Sequence, residues 1–184
     1  MKILAISGSP RLNGNTNYLV DQSLQGASEL GAATEKVILS ELRLSPCIGH
    51  ENCGSQKECL QKDDGIELLN KFCEADGLIL ASPVYYYDVT AWMKIFIDRN
   101  YFLYRHGIKS KARAMGMIVV AGGAGIEDTV RTLKKLAMAS TSNIAKDRRF
   151  LVTGYASRPG DVQGNTVLVN EARQLGRQMA DCLR

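Results

Sequence analysis

Proline is scarce in this chain, four residues of 184, and histidine scarcer still at two. No Pro/Gly/Ser-rich linker, internal repeat or low-complexity tract interrupts it, which excludes solenoids, fibrous proteins and tethered modules and leaves one domain over 1–184. Long hydrophobic runs are missing as well. The opening MKILAISGSP carries one lysine and too short an apolar run for a signal peptide or a membrane span, so the expectation is a cytoplasmic chain with no membrane contact. Charge of one sign is also lacking. The net charge of +4 suits an anionic ligand but is too diffuse for nucleic acid. The basic triplets Lys109/Lys111/Arg113 and Lys146/Arg148/Arg149 each precede an apolar run and read as solvated strand entries.

The remaining composition is that of a globular core, 45% hydrophobic and 23% charged. Four short runs rich in Ile, Leu, Val and Ala predict buried strands at Lys2–Ile6, Gly77–Ala81, Ala114–Val120 and Phe150–Thr153, and the more alternating Glu35–Leu39 predicts an edge strand. Helical periodicity fills the gaps at Thr16–Ser28, Asp63–Cys73, Thr90–Arg99, Glu127–Ser140 and Thr166–Leu183. This alternation predicts an α/β fold: a flavodoxin-like, doubly wound, five-stranded parallel sheet of order 2-1-3-4-5 with helices on both faces. Ligands of such sheets lie beyond the carboxyl ends of the strands, which singles out the loops 7–16, 82–89 and 121–126.

The first loop reads SGSPRLNGNTN. It has neither the lysine of a Gly-x-x-x-x-Gly-Lys phosphate loop nor a Gly-x-Gly-x-x-Gly fingerprint, which argues against a nucleoside triphosphate and a tightly held dinucleotide. Small residues allow a tight backbone with inward N–H groups, the following helix offers its positive end, and Ser7, Ser9, Thr16 and Arg11 can complete a shell around a terminal monophosphate. A capped Gly/Ser turn with Thr16 as the N-cap is the alternative. The second loop, SPVYYYDVT, sets three consecutive tyrosines where a planar ring belongs, or where a second subunit docks. The third, Ala121-Gly122-Gly123-Ala124-Gly125, allows close backbone approach, or is a flexible connection. A monophosphate at one end and a planar polar ring at the other describe FMN.

Residues 45–62 hold three of the five cysteines. Cys47, His50, Cys53 and Cys59 form a compact set of soft and imidazole ligands, open to three readings: a [4Fe-4S] cluster, a structural zinc, or a metal-free loop with reduced thiols. Cys73 reads as core, Cys182 as a surface or packing residue, and His106 as a loop residue without a partner.

The segments ISGSPRLNGNTNYL, CEADGLILASPVYYYDVTAWMKIFIDR and VVAGGAGIEDT resemble the NADPH-dependent FMN reductase family of flavodoxin-like proteins. That resemblance implies FMN held at its phosphate by Ser7, Ser9, Arg11, Asn15, Thr16 and Asn17, with the ring along Pro83, Val84, Tyr85, Tyr86 and Tyr87 and along Ala121, Gly122, Gly123 and Gly125. It also implies electrons passing from NAD(P)H to a quinone or free flavin, with no catalytic side chain of the protein's own. Within the family the chain is most similar to the iron–sulfur flavoproteins, whose four-cysteine run precedes an Asp-Asp pair. Here PCIGHENCGSQKECLQKDD has His50 at the second cysteine's place. The alternative it implies is an electron carrier working with ferredoxin through a cluster at Cys47–Cys59. The aromatic stretch Trp92, Phe96, Tyr101, Phe102 and Tyr104 is expected to close a homodimer or homotetramer, or else to pack inside one subunit.

Overall fold

The computed structural model describes residues 1–141 and 144–184. Five strands, β1 (Lys2–Ser7), β2 (Ala33–Ile38), β3 (Gly77–Pro83), β4 (Ala114–Ala121) and β5 (Arg149–Tyr155), form one sheet of order β2-β1-β3-β4-β5. Every neighbouring pair is parallel. The predicted topology is therefore the observed one, and β2 is the edge strand its alternation suggested.

The central strands are buried on both faces, which is why they read as unbroken apolar runs. Alternate side chains feed two cores. Leu4, Ile6, Leu78, Leu80, Met117 and Val119 meet α2 (Gly65–Glu74), α3 (Ala91–Arg99) and α5 (Ile126–Ser140). Ile3, Ala5, Ile79, Ala81 and Ile118 meet α1 (Asn15–Glu29) and α6 (Thr166–Leu183) on the other face. A five-residue helix, α4 (Tyr101–Arg105), follows α3.

The predicted aromatic surface is split by this packing. Phe96 is buried and meets Phe72 edge-on at 5.6 Å, and Trp92 and Phe102 lean on the same core. Tyr101 and Tyr104 remain exposed and stack at 6.3 Å.

Helices α1 and α6 pack at unusually short range. A Cβ on Gly176 would overlap the Ser23 carbonyl oxygen, and one on Gly26 would overlap that of Arg173. The Ser23 hydroxyl bridges the pair by donating to Ala172 O at 2.7 Å. These two glycines let the backbones approach, and the contact fixes α1, whose first turn opens the candidate site.

Candidate functional site

At the carboxyl end of the sheet β1 gives way to residues 8–14. Gly8 N–H still donates to Ala81 O on β3 at 2.8 Å. A side chain on Gly8 would stand 2.8 Å from Thr90 Oγ1 and Met93 Cβ, because Thr90, the N-cap of α3, donates its hydroxyl to Gly8 O at 2.7 Å. The start of α3 and the first loop are thereby locked together.

Within that loop the hydroxyls and amides tie backbone to backbone. Ser7 Oγ accepts from Ser9 N at 3.3 Å, and Ser9 Oγ accepts from Arg11 N at 3.3 Å. Asn17, fully buried, donates to Arg11 O at 2.9 Å and Leu12 O at 3.3 Å. Two residues expected at the phosphate, Ser7 and Asn17, therefore lie beneath the loop and hold its shape rather than line the cleft.

The helix that follows starts one residue earlier than its periodicity suggested. Gly14, not Thr16, occupies the N-cap position, and it offers no side-chain cap. Tyr18 N–H donates to Gly14 O at 3.0 Å, so the N–H groups of Asn15, Thr16 and Asn17 precede the helical ladder and, among the described residues, have no acceptor. No acidic side chain lies in this first turn. Beside it stands the Arg11 guanidinium, with no hydrogen-bond or ion-pair partner among the described residues. Orphan donors, a positive helix end and an uncommitted guanidinium are the donor set a phosphate monoester requires.

A cleft of about 240 Å3 runs from this point along the strand ends. Ser9, Arg11, Gly14, Asn15 and Thr16 line its end at α1, and Pro83, Val84, Tyr85 and Gly122 line the other. Val120, Ala156 and Ser157 complete the wall; sequence reasoning missed these three. Val120 reads as strand core, and the loop after β5 has no composition that marks it. Its place at the cleft comes from pairing across the sheet, with Ala156 N donating to Ala121 O at 2.9 Å. Among the lining residues only Arg11 and Tyr85 are ionisable.

Of the three tyrosines, Tyr85 alone lines the cleft. Tyr85 and Asp88 exchange backbone hydrogen bonds of 2.9 and 3.2 Å around a two-residue turn. Both turn residues are left-handed, Tyr86 at φ 47° and Tyr87 at φ 69°, which is strained for an aromatic residue. Tyr86 is 98% exposed. The glycine loop supports this turn: Gly125, at φ 88°, caps α5, and a Cβ there would lie 2.7 Å from Tyr87 Cα and from Val84 Cγ1. Ala121 is buried at the strand end, and Gly123 and Gly125 lie outside the cleft lining.

The cysteine segment is mostly irregular and folds against α3 and α4. Its ends are joined through Arg99, 2% exposed, which donates to Asp63 Oδ2 at 2.6 Å and Ser45 O at 3.1 Å. Burial pushes the Asp63 carboxyl up, but Arg99 and the N–H groups of Ser45 and Gly65 outweigh it and hold the group below its ordinary value. Cys47, His50, Cys53, Cys59 and Arg99 line one void of about 10 Å3, room for a single water. His50 Nε2 and Arg99 Nε are buried there without a partner among the described residues.

Nevertheless the expected metal set is not assembled. Among the described residues no three His, Cys, Asp or Glu side chains are disposed to hold a metal ion. Gly49 N–H contacts Cys47 Sγ at 3.4 Å and Arg99 contacts Cys59 Sγ at 3.6 Å. Burial, with the neighbouring thiols of Cys59 and Cys47, pushes the Cys53 thiol up. As placed, these residues enclose a space of about 10 Å3, too small for a four-iron cluster. His106, expected to be unpartnered, has its ring nitrogens 2.8 Å from Phe102 O and Gln56 O, fastening this segment to α4.

Residues 1–156 match the family model of NADPH-dependent FMN reductases. An iron–sulfur flavoprotein of Methanocaldococcus jannaschii is 34% identical over 190 residues, covering 100% of this chain and 98% of its own. Another, from Archaeoglobus fulgidus, is 36% identical over 186 residues, covering 98% of this chain and 80% of its own. Among solved structures, an NAD(P)H:quinone oxidoreductase from Methanothermobacter marburgensis superposes with a TM-score of 0.69 at 19% identity, covering 97% of this chain and 96% of that one. An FMN-dependent NADH-azoreductase from Bacillus anthracis, solved with FMN, gives 0.70 at 15% identity, covering 98% of this chain and 100% of its own.

Proposed function

The chain belongs to the NADPH-dependent FMN reductase family, and we propose that it holds FMN in the cleft between α1 and β5 and passes electrons from NAD(P)H to a small planar acceptor, a quinone or a free flavin. The observation that carries this reading is the uncapped first turn of α1 beside Arg11, which has no partner among the described residues, at one end of a cleft whose other end is lined by Pro83, Val84, Tyr85 and Gly122. Bound there, FMN supplies the hydride and electron chemistry.

The chain's own residues bind and orient. Arg11, the Thr16 hydroxyl and the free N–H groups of the first turn neutralise the phosphate. Val84, Val120 and Ala156 present apolar surface along the walls and exclude water, with Tyr85 and Gly122 lining the same end of the cleft. The ionisable side chains of the lining are Arg11 and Tyr85, and the reading assigns neither of them general acid–base work, since the flavin carries the chemistry. The exposed Tyr86, Tyr101 and Tyr104 suit contact with a second copy, making the protein a homodimer or homotetramer. We read 1–184 as one cytoplasmic FMN-binding unit; among the described residues no helix is long and apolar enough to cross a membrane.

Flavin-stripped protein titrated with FMN, followed by NADPH and NADH oxidation with a quinone or FMN as acceptor, tests the reading. Lack of FMN binding would overturn it.

A second reading is an iron–sulfur electron carrier that exchanges electrons with ferredoxin. It is supported by the grouping of three thiols around His50 Nε2, which has no partner among the described residues, and by the iron–sulfur flavoproteins among the relatives. Against it stands a void the size of one water. Protein purified without oxygen decides: stoichiometric iron and sulfide beside flavin absorption favour the carrier, and flavin without metal favours the reductase.

A further inference from the structure

Asn15 stands in the first turn of the phosphate helix, yet its side-chain amide turns to the opposite wall of the cleft. Nδ2 donates to Arg158 O at 2.8 Å, and Oδ1 accepts from Gly160 N at 3.0 Å and Val162 N at 3.5 Å. The oxygen is thus engaged twice, with backbone 145 and 147 residues away in sequence.

The segment it grips is an ordered turn. Asp161 Oδ2 accepts from Ser157 N at 2.9 Å and Arg158 N at 2.7 Å, and Gly160 takes the left-handed conformation, φ 91°, that brings its N–H round to Asn15. Ser157 in turn donates its hydroxyl to Gly122 O at 3.2 Å. A continuous chain of bonds therefore runs from the start of α1, through the turn at 157–161, to the glycine loop at the ring end of the cleft.

We propose that Asn15 is a positioning residue: it latches residues 156–161 against the cleft and so holds the flavin's ring end, rather than reading the phosphate. The proposal rests on the cleft being an FMN site. It makes the turn after β5 a determinant of flavin affinity that acts through Ala156 and Ser157, the two members of the turn that line the cleft.

Riboflavin, which lacks the phosphate, separates the two roles. Flavin-stripped full-length protein is titrated with FMN and with riboflavin by fluorescence quenching, for the parent, Asn15→Ala, Asp161→Ala, the double variant and Arg11→Ala. Loss of the latch weakens FMN and riboflavin by the same factor, about tenfold, the effect of one or two lost hydrogen bonds. Asp161→Ala does the same, and the double variant loses little beyond either single one, because both break one structure. Arg11→Ala weakens FMN and leaves riboflavin unchanged.

If Asn15→Ala weakens FMN but not riboflavin, the amide reads the phosphate and the proposal is wrong. It is equally wrong if neither flavin is weakened. A parent protein that binds neither flavin refutes the FMN reading itself, a separate result. Asp161 lies in an exposed turn, so Asp161→Ala carries the same comparison should Asn15→Ala fail to fold.

Discussion

Gly122, Gly123 and Gly125 follow β4 in one short loop, and replacing them singly with alanine separates conformational need from mere smallness. At Gly125 the backbone lies at φ 88°, a region that costs an L-residue about 1–2 kcal/mol. The new Cβ would also stand 2.7 Å from Tyr87 Cα. That neighbour is main chain, so the clash is relieved only by moving the tyrosine turn, and overpacking of this kind costs about 1–3 kcal/mol. Together the effects come to about 2–5 kcal/mol. For a chain of this size each kcal/mol lowers Tm by about 2–4 °C, so Gly125→Ala is expected to melt about 4–20 °C below the parent. FMN binding weakens with it, since Val84, the other atom in the way, lines the cleft. Gly123→Ala is the control: a Cβ there meets nothing within 4 Å, and Tm should move by less than about 2 °C. Thermal melts by circular dichroism, with and without FMN, measure both. Coincident melting of the two variants would refute the reasoning, because the loop would then tolerate a side chain anywhere.

Other perturbations test the remaining supports. The Asp63 carboxyl is depressed in the folded protein, so its contribution to stability is complete above its unfolded pKa, about 3.9, and is lost as pH falls through the lower folded value. Asp63→Asn should flatten the acid limb of a urea-midpoint profile below about pH 4, and near neutral pH should cost about 3–5 kcal/mol by leaving Arg99 buried without a counter-charge; an unchanged acid limb would count against this. Tyr86→Asn with Tyr87→Gly installs the pair that such a turn favours and should raise Tm by about 2–4 °C, for a net gain of about 1 kcal/mol. The same variant should sediment as a smaller species if the turn makes the subunit contact. Gly176→Ala drives a Cβ into the Ser23 carbonyl and should cost more than about 3 kcal/mol, with loss of flavin retention; a full flavin complement and parental Tm would show that α1 and α6 can separate freely.

Burial on both faces made much of this molecule legible in its sequence. β1, β3 and β4 are continuous apolar runs because helices cover both of their sides. β5 was recognised by its centre only, since Arg149 and Tyr155 at its ends are exposed. Helix α4 escaped notice because five residues give no usable period. At the site, the phosphate loop was legible from small residues next to a strand, whereas the roles inside it were not. Ser7, Asn15 and Asn17 carry hydroxyl or amide donors no less suited to an anion than those of Ser9 and Thr16, and only the chain path decides which face inward. The turn at 157–161 was invisible because its partner is Asn15, far away in sequence. Tyr86-Tyr87 gave no warning of positive φ, since the local signal for that turn is Asn-Gly.

The close seam between α1 and α6 has a bearing on how the protein is made. Ser23 and Ala172, joined across it, lie 149 residues apart. At a synthesis rate of about 5–20 residues per second, the first helix leaves the ribosome roughly 7–30 s before the surface that seats it exists. Through that interval the loop after β1 is complete in sequence but has no rigid backing, and the apolar face of α1 is uncovered. Rigid backing for the loop after β1 therefore waits until α6 has emerged and docked, and until then the nascent chain is exposed to misassociation along the uncovered face of α1.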